Sequence, residues 1–176
     1  MKTLHIGCGL NKRPGSIGVD ILHEPGVDIV FDLDTTPYPF ANDEFDLVVA
    51  EHVLEHLSNI VGVVEEIHRL LKPGGKLEVL CPHFSSADTF TDITHKHFIT
   101  SRSFDYFVPG TDLYRYRYSS RAKFRILKKE LGPRPWPKLL KPVGWLINKL
   151  PVFYERRFAF MFPVGVIHFL LEKISD

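Results

Sequence analysis

Cysteine is nearly absent from this chain. Two occur in 176 residues, Cys8 and Cys81, with no ligand spacing between them. That excludes a disulfide scaffold and a cysteine-rich zinc module, and fits reduced thiols. No uninterrupted apolar run is long enough for a membrane span. The longest stretch, residues 158–171, is broken by Pro163 and His168, whereas a spanning helix needs roughly 20 apolar residues. The first residues offer no apolar region of about 7–15 residues, because Gly7 and Gly9 arrive almost at once. A cytoplasmic protein is the expectation. There is no internal repeat and no low-complexity tract, and the length suits one domain with its own core.

Net charge is also small, at +1, but it hides an asymmetry. Residues 1–100 carry 7 Lys/Arg and 15 Asp/Glu, while residues 101–176 carry 15 and 6, so the balances are −8 and +9. Such a split suggests halves that face different partners; mutual salt bridging is the plainer alternative.

What is present is an alternation of strand and helix signals. Residues 2–6, 16–21, 27–31 and 45–50 read as strands, the last apolar enough to be buried on both faces. Val53, Leu57, Ile60, Val64, Ile67 and Leu71 then recur at three- and four-residue steps, one face of an amphipathic helix. Ser58 is the expected N-cap, with residues 52–57 as a lead-in turn. Lys72-Pro-Gly-Gly75 stops the helix, and residues 76–81 make a fifth strand. Alternating strands and helices imply a parallel sheet. Only about ten residues separate the first two strands, short of the dozen a crossover helix takes. Residues 82–112 read as a polar, His-rich loop with a short helix near 101–107. Residues 114–118 alternate Tyr and Arg as a strand would, 124–127 and 164–173 read as further strands, and 139–162 as helix in pieces.

A nucleoside bound beside such a sheet needs glycines after the first strand, where backbone must approach closely. It also needs a carboxylate at the end of the second strand, whose two oxygens accept both ribose hydroxyls. Gly7 and Gly9 meet the first demand and Asp20 the second. Asp32 follows the third strand and can accept from an adenine amino group. Glu51 closes the fourth strand at the edge where open α/β sheets bind ligands.

The motifs His5-Ile-Gly-Cys-Gly9, Gly18-Val-Asp-Ile21, Asp32-Leu-Asp34, residues 45–57 and Leu70-Leu-Lys-Pro-Gly-Gly75 together resemble the class I S-adenosylmethionine-dependent methyltransferases, in a compact type 11-like version. The resemblance covers residues 2–82 well and the remainder loosely. It implies an α/β, Rossmann-like fold with a seven-stranded mixed sheet in the order 3-2-1-4-5-7-6, a shortened first crossover and no N-terminal lid. It implies one domain over 1–176, with a cofactor half at 1–82 and an acceptor half at 83–176. S-adenosylmethionine is the implied cofactor. Gly7, Cys8 and Gly9 would line its methionine portion, Asp20 the ribose, Asp32 and Leu33 the adenine, and Glu51 and His52 the sulfonium end. Cover over the site would come from residues 82–112, the second half or another subunit.

On the acceptor side an attacking hydroxyl must lose a proton, and histidine is the usual recipient. Residues 83–98 offer His83, Asp88, Asp92, His95 and His97. His97 is the first choice and His95 the second, each weighed against a loop histidine bonded to backbone. The expected acceptor is a small molecule or a glycan, such as a hydroxyl of an anionic or lipid-linked sugar, with Arg115 and Arg117 facing its charge. The basic, aromatic second half suggests peripheral membrane contact. A homodimer is open, and no nucleic-acid module is visible.

Three rivals have definite signatures. His52-Val-Leu-Glu55-His56 matches the H-x-x-E-H pattern of inverted zinc proteases, but no downstream third ligand is evident, so no metal is expected. A dinucleotide oxidoreductase wants a third glycine where Lys12 stands, and an acid further on than Asp20. A methyltransferase-like scaffold without catalysis would keep the cofactor positions and differ only in turnover.

Overall fold

The computed structural model describes residues 1–116, 120–133 and 137–174. Among the described residues seven strands form one sheet: β1 Thr3–Ile6, β2 Ser16–Asp20, β3 Ile29–Val30, β4 Phe45–Glu51, β5 Leu71–Pro82, β6 Phe124–Leu131 and β7 Val166–Lys173. Their order is β3-β2-β1-β4-β5-β7-β6, as expected. β1 to β5 run parallel, and β7 inserts antiparallel between β5 and β6.

The alternation along each strand sorts residues onto two unlike faces. Leu4, Val48, Leu77 and Leu171 lie in register across β1, β4, β5 and β7, and Ile6, Ala50, Val79 and Phe169 form the next row. These rows belong to the main core. Helix α1, Ile60–Leu70, covers this face with Val63, Val64, Ile67 and Leu70, all buried. Its N-cap is Asn59, whose side chain accepts from the Gly62 amide at 3.0 Å. The expected cap, Ser58, instead bonds Asp34: its amide and hydroxyl donate to that carboxylate at 2.7 and 2.9 Å. His68 and Arg69 in the last turn suit the negative end of the helix dipole.

The opposite face presents His5, Val49, Glu78 and Leu170, again in register. Among the described residues, the connections 7–15, 21–28 and 31–44 contain no helix, so nothing helical fills this side between β1 and β4. Arg13 fills part of it. Its guanidinium donates to Glu78 at 2.7 Å and Glu51 at 2.8 Å, and its amide donates to His5 Nδ1 at 3.0 Å. His168 Nε2 lies 2.9 Å from the other Glu78 oxygen. A polar chain thus runs from β1 to β7. Burial lowers the His5 pKa, which keeps the imidazole neutral and Nδ1 an acceptor. Gly18 permits the close wrap of the short connection, since a Cβ there would lie 2.6 Å from Lys12 Cδ and 2.8 Å from Cys8 Sγ.

The second half departs from the sequence reading at one place. Residues Leu113–Tyr116 form a 3-10 turn, not the start of a strand. Period two does not apply over these residues, so Tyr114, Arg115 and Tyr116 do not sort onto two strand faces. Arg115 instead lies over the Tyr116 ring, 4.7 Å from its centroid; Arg117 and Tyr118 fall outside the described residues. A four-residue helix, α2 (Asp88–Thr91), and a 3-10 turn at Ser103–Phe107 follow β5. α3, Lys141–Lys149, and α4, Pro151–Arg157, precede β7.

Candidate active site

The C-terminal ends of β1, β2 and β4 open onto a cavity of about 340 Å³, within the range of small-ligand sites. Gly7, Asp20, Asp32, Leu33 and His52 line it. Gly7 has φ +62°, and a Cβ there would stand 2.3 Å from Val53 Cγ2. The turn after β1 can therefore approach the β4 exit only as glycine. Asp20 ends β2. One of its oxygens accepts the Gly9 amide at 2.8 Å and the other the Leu22 amide at 3.1 Å. These bonds fix the carboxylate while each oxygen keeps a lone pair for a ligand. Asp32 accepts the Asp34 amide at 2.9 Å. Tyr38 donates to the Leu33 carbonyl at 2.8 Å, pinning the same loop from behind.

Four expected site residues lie elsewhere. Cys8 is buried, and that burial pushes its thiol pKa up. Gly9 contributes its amide to Asp20 and does not line the cavity. Glu51 turns to Arg13 at 2.8 Å. His97 holds Nε2 2.8 Å from the Leu57 carbonyl and lines neither this cavity nor the one beside it, so it takes the backbone-bonded alternative.

The neighbouring cavity, about 660 Å³, is lined by Glu55, Asp88, Asp92 and His95 among others. His52 and His56 line both cavities. His52 leaves β4 with φ +52°, a conformation that non-glycine residues adopt at a cost and that concentrates at functional positions. Its Nδ1 is 3.5 Å from Glu55 Oε1. Burial pushes the Glu55 carboxyl up, but His52 and the neighbouring backbone and Cys81 thiol outweigh it, leaving the pKa below the ordinary value. Glu55 in turn raises His52 against the opposing effect of burial. The amides of Lys96 and His97 donate to the Glu55 carbonyl at 2.7 and 3.2 Å, which docks the loop bearing His95 onto this turn. Glu55 and His56 were visible in the sequence as a motif; their approach to His95 had no local signal.

A parallel sheet with a glycine turn after its first strand, an acid closing its second and a cavity above both is the architecture of a nucleoside-binding α/β domain. Residues 16–79 match the sequence profile of a methyltransferase domain family. A Bacillus subtilis protein named as the uncharacterized methyltransferase YcgJ is 29% identical over 89 residues, which are 49% of this chain and 35% of that protein. The Escherichia coli protein YafE is 38% identical over 42 residues, 24% of this chain and 20% of that protein. These alignments span only a fifth to about a third of the relatives' lengths. A solved S-adenosylmethionine-dependent methyltransferase from Archaeoglobus fulgidus superposes with a TM-score of 0.59 at 18% identity, covering 98% of this chain and 86% of that one. The chain has the class I methyltransferase fold.

Proposed function

We propose that this chain binds S-adenosylmethionine in the Asp20 cavity and directs its methyl group to an acceptor in the Glu55 cavity. The observation that carries this reading is that the two cavities adjoin and share His52 and His56 as a common wall. The cofactor supplies a methyl already activated by its sulfonium. The protein's task is to hold the acceptor atom in line with the breaking carbon–sulfur bond, a matter of proximity and orientation. The residues fit that cofactor: Gly7 leaves room where a side chain would clash, and Asp20 keeps acceptor capacity for a ribose diol. We assign acceptor contact to His52, Asp88 and His95, because each lines the second cavity. A small molecule or a glycan hydroxyl fits its size and polarity. The test is calorimetry with S-adenosylhomocysteine, followed by transfer of labelled methyl to a cell extract. Binding and labelling are both expected; binding without any labelled product identifies a scaffold, and no binding removes the reading.

A second observation favours an acceptor presented at a membrane. α3, α4 and the turn after them expose Trp145 (62%), Phe153, Phe160 (74%) and Phe162. An apolar cavity of about 290 Å³ lies between the two helices. Lys138, Lys141, Lys149, Arg156 and Arg157 accompany these rings, and the acid of the stretch, Glu155, turns inward. We propose that this face rests on a bilayer containing anionic lipid. No helix among the described residues is long and apolar enough to cross a membrane, so the contact is peripheral.

A further inference from the structure

We propose that Glu55, His56 and His95 form a binding site for one divalent transition-metal ion of the zinc type. One ligand atom from each lies within 4.8 Å of the other two. Two imidazoles and a carboxylate are a donor set that zinc accepts in sites with an open position. Glu55 is the independent pointer. Its side chain is 2% exposed; the His52 ring and the Cys81 thiol lie near enough to lower its pKa, but no hydrogen bond of ordinary geometry reaches either carboxylate oxygen. A buried carboxylate in that state is costly unless a cation meets it, and the His52 nitrogen, at 3.5 Å, is beyond ordinary hydrogen-bond length.

The two imidazoles are already oriented as ligands. His95 Nδ1 lies 3.0 Å from the Thr89 carbonyl, which can only accept, so Nδ1 carries the proton. His56 Nδ1 lies 2.8 Å from Thr94 Oγ1. That hydroxyl donates to Asp92 at 2.7 Å, so it accepts from His56. Both rings thus keep their lone pair on Nε2, with the other nitrogen held by protein, which is the usual outer support of metal-bound histidine. The rings are neighbours, with centroids 4.6 Å apart. Ligand atoms around zinc at ~2.1 Å sit roughly 3.4 Å from one another, so binding draws the three together by on the order of 1 Å. The sequence motif supplied only two adjacent ligands; the loop docked on the Glu55 carbonyl supplies the third. All three residues line the larger cavity, from which a further oxygen or nitrogen ligand would reach the ion.

This site does not depend on the methyl-transfer reading, and its test needs neither cofactor nor acceptor. Untagged full-length protein is stripped with a chelator and titrated with Co²⁺, read by visible absorption, then with competing Zn²⁺. One equivalent of each metal should bind, without a thiolate-to-cobalt charge-transfer band. His95→Ala and His56→Gln should each weaken binding by more than the roughly 10–100-fold lost with an outer partner. His23→Ala, in an exposed loop, should leave it unchanged. Circular dichroism checks each fold, and His95→Ala, on a loop, carries the test should His56→Gln fail to fold. No saturable binding by the wild-type chain, binding unaltered in a folded His95→Ala variant, or a thiolate band from Cys81 would each overturn the proposal.

Discussion

Asp20 joins two tasks in one carboxylate. It closes the turn after β1 by accepting the Gly9 amide, and it faces the smaller cavity. Replacing it with Ala therefore takes the carboxylate out of the cavity wall and loosens the turn that shapes the cavity. Hydrogen bonds to a charged group contribute about 1.5–3 kcal/mol each, so Asp20→Ala should weaken S-adenosylmethionine binding by about 2–4 kcal/mol, roughly 30- to 900-fold. Calorimetry on the folded variant measures this, and near-native affinity would remove Asp20 from the site. Gly7 is held by shape. Gly7→Ala places a methyl against Val53 in a backbone with φ +62°, which should lower stability by about 1–3 kcal/mol and the cofactor affinity with it. Urea unfolding and calorimetry on the same sample separate the two effects; a variant as stable as wild type would show that Val53 moves freely.

Among the elements, α4 is tied to the sheet by one acid. Glu155 accepts the Ser101 amide at 2.6 Å and its hydroxyl at 2.8 Å, and stands 3.1 Å from His83 Nε2. Burial raises the Glu155 carboxyl, but His83 and Ser101 outweigh it and leave the pKa below its ordinary 4.5. A depressed folded-state pKa means stability that is present above about pH 4.5 and lost as pH falls through the folded value. Glu155→Gln should therefore be less stable than wild type near neutrality, by about 1.5–3 kcal/mol for lost hydrogen bonds to a charged group, with the gap narrowing below pH 4.5. Denaturant unfolding of both proteins across that range is the check, and a gap constant with pH would deny Glu155 this role. This tie was not legible in the sequence, since it joins residues 83, 101 and 155. The glycine turn, the place of Asp20 at the end of β2 and the amphipathic face of α1 were legible because each is a local pattern of the sequence. Residues 114–116 misled for the complementary reason: alternating Tyr and Arg fits a strand, but among the described residues Leu113–Tyr116 form a 3-10 turn outside the sheet. His97 misled because sequence cannot show that the Leu57 carbonyl claims its ring.

At the scale of the whole molecule, the exposed rings of α3 and α4 and the larger cavity are neighbours through the chain. The turn ending at Phe162 leads within a few residues to Gly165 and Val166, which line that cavity beside Pro82. The charge split agrees with the proposed bilayer contact, because the acids predominate in residues 1–100 and basic residues accompany the rings in the sequence. Each Lys or Arg near an anionic surface contributes about 1 kcal/mol, falling off within a Debye length, and inserted rings add a salt-independent part. The protein should therefore float with vesicles containing anionic phospholipid at low salt, less at high salt, and poorly with zwitterionic vesicles. Trp145 fluorescence should shift to the blue on binding. Leu146→Asp with Phe153→Asp should abolish flotation, since both line the apolar cavity between the helices, and should leave S-adenosylmethionine affinity unchanged because neither residue lines the cofactor cavity. Sedimentation tells the bilayer from a second copy of the chain. A stable dimer split by the double substitution, with no flotation of the wild type, would assign the face to self-association and end the membrane reading.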